Sequence, residues 1–451
     1  MQSSLKQAIQ HYHALALASD KAADAAFEAL LQKQIEQRTT FGGRPLANTL
    51  RPTFLTESMY GYIQDTVYTI RQAVLKLAAA YFDKRENLDL LGLTDDEREL
   101  AAIPTNVIRL SATARMDSFL TANSFKFVEI NAESPAGPAY THELAKIFRE
   151  LPFFSEFEKS YPVRFVSPLE HLVAGLLRIY HEEFDGKEER PSFCIVDLPD
   201  VPTYKEFELT REYLERFGYA CEISDPRSLE CHDGWIYANG RKIDLLYRRL
   251  LTSEFLPIKN DCLAYLQGYQ AQKTCYLNTF RAKLVHKKVV FNFLTDEKYN
   301  HILSNREREA ILDHIPWTRK MLDQRTTFRG LAIDLLEFIR ANRKYFVIKP
   351  NDEYGGKGVT LGFAASQSAW DDAIEIGARE GFVVQEIVDI HKEPFIYKID
   401  GTWQEVPTVL DLDPYLNGPL MGGCLARIST TNLANVTAGA GTVPQFILRY
   451  L

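Results

Sequence analysis

In the segment Phe346–Gly362 a short apolar run ends at Lys349, and the chain then turns through Gly355, Gly356 and Gly358 around Lys357. Glycines let the backbone approach a ligand closely, and successive amide N–H groups in such a turn can cradle an anion. Lys349 and Lys357 add point charges suited to phosphate. The segment reads as strand, flap and strand over a polyphosphate; a glycine-rich hairpin with solvated lysines is the alternative. It is not a P-loop, because no Ser or Thr follows the lysine, and the GxGxxG fingerprint is also absent.

A second set of reactive residue types lies upstream: Arg115 and Asp117, then Glu129, Asn131 and Glu133. Alternate side chains of a strand share a face, so Glu129, Asn131 and Glu133 are expected to project together. Carboxylate and amide oxygens are hard ligands of the kind Mg²⁺ accepts beside nucleotide phosphates. Asp117, on a preceding strand or turn, completes the set, and the stiff turn Ser134–Pro138 fixes its end. A strand with a solvated polar face is the alternative here. Lys287 leads into an apolar run at Val289 and places a charge where a nucleotide could lie, unless the pair Lys287–Lys288 is simply solvated. Gln385, Glu386, Ile387 and Val388 form an apolar strand whose backbone could meet an adenine edge, or only a core strand. Arg427, followed by Gly439 and Gly441, allows a backbone nest or a plain turn. Arg51, Arg248 and Arg249 are candidates to grip a substrate carboxylate, with structural ion pairs the stronger reading. The ten histidines show no metal-ligand spacing.

The elements that must position these residues can be read from periodicity. Residues 1–38 read as amphipathic helix broken by Gly42–Pro45, with further helical blocks over 57–90 and from Thr94. Strand signals fall at Val107–Leu110 and Phe125–Asn131, followed by helix over Tyr140–Glu150. Between 190 and 255 the rhythm becomes strand, helix, strand: Phe193–Asp197, Lys205–Phe217, Ala220–Ser224 and then Ile243–Arg248. That spacing implies a small module with a parallel sheet. Helices dominate 259–343, and strands with loops follow the flap.

The bulk properties are those of an ordinary globular protein, with 46% hydrophobic and 25% charged residues in 451. A formal charge of −8 argues against general affinity for nucleic acid or anionic membrane, so an anionic ligand must be held by a local basic cluster. No run reaches the ~18–20 apolar residues needed to span a bilayer. No signal peptide is apparent, and six scattered cysteines are expected as free thiols, which makes cytoplasm the default location.

Together these residues make a pattern. The chain resembles the circularly permuted ATP-grasp proteins, and within them the glutathionylspermidine-synthetase-like group. The resemblance rests on Arg115-x-Asp117, Glu129-x-Asn131, Lys287, Lys349-Pro-x5-Gly-Lys-Gly and the Gln385–Glu386 strand, and it spans roughly 100–445. The acidic set precedes the lysines, the reverse of ordinary ATP-grasp order. The resemblance implies a mixed α/β ATP-grasp fold with a small Rossmann-like module and a helical N-terminal region. Its parts would be 1–100 helical, 101–189 the metal-binding part of the core, 190–258 the α/β module, 259–390 the nucleotide lid and adenine strand, and 391–451 the rest of the core. It implies ATP contacts from Lys287, Lys349, the 355–358 loop and residues 385–388. It further implies Mg²⁺ on Asp117, Glu129 and Asn131, with Arg115 stabilising negative charge as the phosphoryl group transfers. The expected reaction is ADP-forming amide ligation of a small-molecule or peptide carboxylate to an amine. The alternatives are a small-molecule kinase and an inactive nucleotide-binding protein. The first hundred residues read as helical and are not expected to be the amidase domain of the bifunctional members, and glutathione and spermidine are not inherited as substrates.

Overall fold

The computed structural model describes residues 2–353, 355–390, 392–430 and 440–449. The chain is mixed α/β. At its centre the strand Thr113–Leu120 pairs with Phe125–Asn131 on one side and with the 16-residue strand Thr402–Asn417 on the other. That long strand also pairs with Leu420–Ser429 and, over its first half, with Lys392–Ile399; Gly441–Val443 closes the edge. All these pairings are antiparallel.

One irregularity in this sheet sets which residues reach the site. Asp117 faces Glu129 but the next residue, Ser118, faces Phe127, so Val128 is an extra residue in the ladder. Strict alternation would put Glu129 and Asn131 on the face of Phe125 and Phe127, which are buried in the core. The bulge turns the strand over, sends Ile130 to the core and leaves Glu129 and Asn131 on the opposite face.

The small module is a four-stranded parallel sheet in the order Cys275–Leu277, Leu245–Arg248, Phe193–Val196, Cys221–Ser224. Its inner strands are buried along their whole length, as expected for a parallel sheet covered on both faces. The part expected to form the lid is an antiparallel sheet in the order Thr318–Lys320, Val383–Glu386, Phe346–Lys349, Thr360–Leu361. The helix Gln367–Glu380 backs it through fully buried Trp370 and ends at Gly381, whose φ of 70° suits glycine.

The N-terminal region forms two helices where one is expected, Gln2–Ala16 and Asp20–Glu36, because the Ser19 hydroxyl caps the second by accepting from the Ala22 amide. The block 57–90 likewise divides into Glu57–Tyr81 and Arg85–Leu91, and Thr94 with Glu97 forms a capping box for Asp95–Ala102. A strand from this region, Thr53–Thr56, pairs with Gln445–Leu448 near the other end of the chain. The stretch Val107–Leu110 forms no strand; the ladder starts at Thr113, and Arg109 is instead paired with Glu183. All six cysteines are free, and among the described residues no helix is long and apolar enough to cross a membrane.

Candidate active site

Because Arg115 faces Asn131 and Asp117 faces Glu129 across the ladder, four expected site residues share one face of the central sheet. Asn131 Nδ2 donates to Asp117 Oδ1 at 3.0 Å and to Glu129 Oε1 at 3.2 Å. Arg115 holds both Asp117 oxygens, at 2.8 and 3.1 Å, and donates to the Ala136 carbonyl at 3.1 Å. The neighbouring strands add Asp411 and Asp413, which sequence reasoning did not single out, and Arg427, which it noted only beside a glycine turn. Arg427 Nη2 lies 2.7 Å from Asp117, 2.7 Å from Asp411 and 3.0 Å from Asp413. The spacing Asp411-x-Asp413, which puts both on one strand face, is the signal that could have found them.

The electrostatics follow from one guanidinium shared among three buried carboxylates. Burial pushes Asp117 up, but Arg115 and Arg427 outweigh it and hold the carboxyl well below the usual range. For Asp411 burial prevails over Arg427 and lifts the group to about 6; Asp413 is driven well upward for the same reason. Glu129 is also raised by burial, yet the ammonium of Lys288, 3.1 Å away, brings it below its ordinary value.

Above this face lies a cavity of about 420 Å³ between the central sheet and the lid. Asp117, Glu129, Lys349, the glycines at 355 and 356, and all of residues 385–388 line it. Lys349 donates to Gln385 Oε1 at 2.7 Å, and Gln385 is itself fixed by donating to Thr318 Oγ1 at 3.0 Å. Burial pushes the Lys349 ammonium down to about 8, with Glu129 opposing. Gln385 thus orients the lysine. Glu386 pairs with Arg329 from the neighbouring hairpin at 2.5 Å. The amides of Glu386 and Ile387 are already spent on the carbonyls of Trp317 and Tyr345, so they do not serve an adenine edge. Val347, Leu361 and Phe363 supply apolar walls. In the flap Gly355, Gly356 and Gly358 have φ of 76°, 72° and 71°; a side chain at Gly358 would also meet Pro350 Cγ at 2.7 Å. Lys357 is solvated at the rim and lies 3.5 Å from Glu353.

Other expected residues stand elsewhere. Lys287 is 4% exposed and does not line the cavity; its ammonium is bound to Glu97 and Asp352. Its neighbour Lys288 lines the cavity in its place. The half-turn between short helices at 283–286 and 290–295 is what separates the two lysines, and sequence spacing alone could not choose between them. Glu133 does not share the site with Glu129. It is fully buried against Arg248, Lys283 and the Thr252 amide, and joins the central sheet to the parallel-sheet module. Arg51 is a structural group, bonded to Glu393 and to the Pro394 carbonyl. Gly439 lies outside the described residues, whereas Gly441 is in an edge strand.

A second cavity of about 360 Å³ adjoins the first. Its walls come from the central sheet, the turn 134–137, the carboxyl ends of the parallel strands, and the N-terminal hairpin through Phe41. The two cavities share Glu129, Gly355 and Arg427. Arg115, Asn131 and Arg249 line only the second. Arg249 is bound to Glu206 at 3.2 Å and to the Pro135 carbonyl at 2.9 Å.

Among the described residues no three His, Cys, Asp or Glu side chains converge as a metal cluster. The donor set that does converge is two carboxylates and one amide, which suits Mg²⁺ when phosphate oxygens and water complete the octahedron. Asn131 turns its Nδ2 to both Asp117 and Glu129, so its amide must rotate to bring Oδ1 toward a cation shared by the three.

No protein-family model and no curated protein matches this chain in sequence. Its fold is that of a solved glutathione synthetase like-effector from Globodera pallida, with a TM-score of 0.59 at 12% identity over 93% of this chain and 97% of the other. A putative gamma-glutamylcysteine synthetase from Methylobacillus flagellatus reaches a TM-score of 0.40 at 10% identity, over 74% of this chain and 80% of its own, a likeness too loose to argue from.

Proposed function

We propose that this chain is an ATP-dependent carboxylate–amine ligase that forms ADP and works through an acyl phosphate on a circularly permuted ATP-grasp scaffold. The observation that carries the reading is the meeting of two cavities at Glu129, Gly355 and Arg427, one lined by lysines and the other open for a second reactant. A carboxylate is inert to amines because its leaving group would be oxide. Attack of a carboxylate oxygen on the γ-phosphorus, with cleavage of the β–γ bridge and departure of ADP, makes the acyl carbon reactive. The amine nitrogen then attacks that carbon, phosphate leaves, and one proton is lost from nitrogen.

In this reading Lys349 and Lys288 bind phosphate oxygens, and Gln385 keeps Lys349 aimed at them. Arg427 and Arg115 stand where charge develops on the phosphoryl group and the tetrahedral intermediate, in a buried setting that strengthens their effect. The glycine flap covers the acyl phosphate and excludes water, which would otherwise hydrolyse it. Asp117, Glu129 and Asn131 would hold Mg²⁺, which neutralises phosphate charge. Catalysis is then positioning and charge stabilisation, with no covalent protein nucleophile. The glutathionylspermidine-synthetase-like grouping belongs to this proposal and is supported by Arg115, Asp117, Glu129 and Asn131 lying together. The test is ADP release over paired panels of carboxylic acids and amines, with mass spectrometry of hits. A ligase gives ADP and an amide only when both partners are present. ADP with a phosphorylated product and no amine requirement identifies a kinase instead.

A further inference from the structure

The second cavity carries features that ligation in general does not explain. Asp197 follows directly on the strand Phe193–Val196, and Glu254 lies in the short helix after Leu245–Arg248. Both therefore stand at the carboxyl ends of parallel strands, where open α/β sheets place their ligands. Both line the cavity, and neither has an ion-pair partner within 4 Å among the described residues. Asp197 Oδ1 accepts only from the Leu198 amide, and Glu254 Oε2 accepts from the Leu251 amide. The cavity's cations form no ion pair with them: Arg249 is held by Glu206 and acts on Asp197 only at longer range, and Arg115 and Arg427 are turned to Asp117. Burial raises Asp197 to about 6; the charge of Arg249 opposes the rise and that of Glu254 adds to it.

Beyond these groups much of the wall is apolar, from Phe41, Leu46, Val201, Pro202, Leu251 and Leu425. The first two come from the N-terminal region. Phe41 begins a hairpin with Arg44 across Gly42 and Gly43, whose φ of 56° and 80° match a two-residue turn. Gln34 clamps the hairpin's exit by accepting from the Ala47 amide at 2.7 Å and donating to the Ala47 carbonyl at 2.9 Å. The Thr442 amide donates to the Leu46 carbonyl at 2.9 Å, which ties the hairpin to the central sheet.

Resting on the ligase reading, we infer that the acceptor is a primary amine with a single positive charge and an apolar body, its ammonium held by Asp197 and Glu254 and its body measured by the hairpin residues Phe41 and Leu46. A primary ammonium has three N–H donors, and the two carboxylates supply Asp197 Oδ2 and Glu254 Oε1 besides the oxygens that accept from the Leu198 and Leu251 amides. A second ammonium would be buried against the apolar wall without a partner, at a large cost. This gives the N-terminal region a part in substrate choice.

The test is calorimetric titration of the full-length protein, with Mg²⁺ and a non-hydrolysable ATP analogue present, using hexylamine, hexan-1-ol and spermidine as probes. Hexylamine should bind about tenfold tighter than either of the others, and Asp197→Asn or Glu254→Gln should each remove about that factor for hexylamine while leaving hexan-1-ol unchanged. Phe41→Ala should weaken hexylamine more than methylamine. Equal binding of hexylamine and hexan-1-ol to the unaltered protein overturns the inference, whatever the variants do. Tighter binding of spermidine, or undiminished hexylamine binding in both carboxylate variants, overturns it too. Binding is read without turnover, so absence of ADP formation would remove the ligase reading and leave this result to stand or fall by itself.

Discussion

Arg427 Nη2 lies 2.7 Å from Asp117 Oδ2, although 310 residues separate them in the chain. The pair joins strands that flank Thr402–Asn417, and Arg427 belongs to the walls of both cavities. In the proposed ligase, acid and base thus meet where a phosphoryl group would pass from one reactant to the other.

Replacing Arg427 by alanine leaves Asp117, Asp411 and Asp413 without their shared cation. Breaking a buried ion pair from one side costs about 3–5 kcal/mol. Urea denaturation should show a loss of that order for Arg427→Ala. Arg427→Lys should recover only part of it, because an ammonium lacks the forked geometry that reaches several carboxylates.

Lys287 and Lys288 should separate cleanly. Lys288→Ala should weaken binding of a non-hydrolysable ATP analogue by roughly tenfold, as expected for one charge-assisted contact. Lys287→Ala leaves Glu97 and Asp352 buried beside one fewer cation, so its effect should appear in stability. The folded fraction of that variant should bind the analogue as the unaltered protein does. Calorimetry paired with thermal melts checks both.

The lowered Lys349 gives nucleotide affinity a pH dependence of known sign. The ammonium is present below about 8 and is lost from the free protein as pH rises through that value. Phosphate favours the charged form, so affinity should be full near neutral pH and fall above it. Stability changes in the other direction. Between the folded value and the ordinary lysine value near 10.5 the unfolded chain holds the extra proton, so this group makes the fold more stable as pH rises there. Gln385→Leu removes the acceptor that aims Lys349 and should weaken nucleotide binding and flatten the profile.

Gly358→Ala should damage the flap. The residue sits at φ 71°, and the added methyl would meet Pro350. Nucleotide hydrolysis without amide formation should rise relative to coupled product, since an ill-fitting flap admits water. Equal coupling in variant and parent would count against the flap's sealing role.

Much of the architecture was legible because periodicity reports local structure. Phe125–Asn131 and the alternating strands and helix of 193–248 appear where their patterns place them. The face carrying Glu129 and Asn131 depended on the bulge at Val128, which no alternation rule reveals. Lys288 could not be told from Lys287, because a short connection between helices decides which side chain turns inward. Asp411, Asp413 and Arg427 join the site only through pairing of distant strands, and a linear reading has no access to that register.

The proposed ligase requires the cavity beneath the lid to hold a nucleotide through Lys349. Titration of the full-length protein with Mg²⁺ and a non-hydrolysable ATP analogue, beside Lys349→Ala of matched thermal stability, tests it most directly. Binding to the parent should be saturable, with a loss of roughly 10- to 100-fold in the variant, the range of a buried charge-assisted contact. No saturable binding to the parent, or equal binding to both proteins, would contradict it.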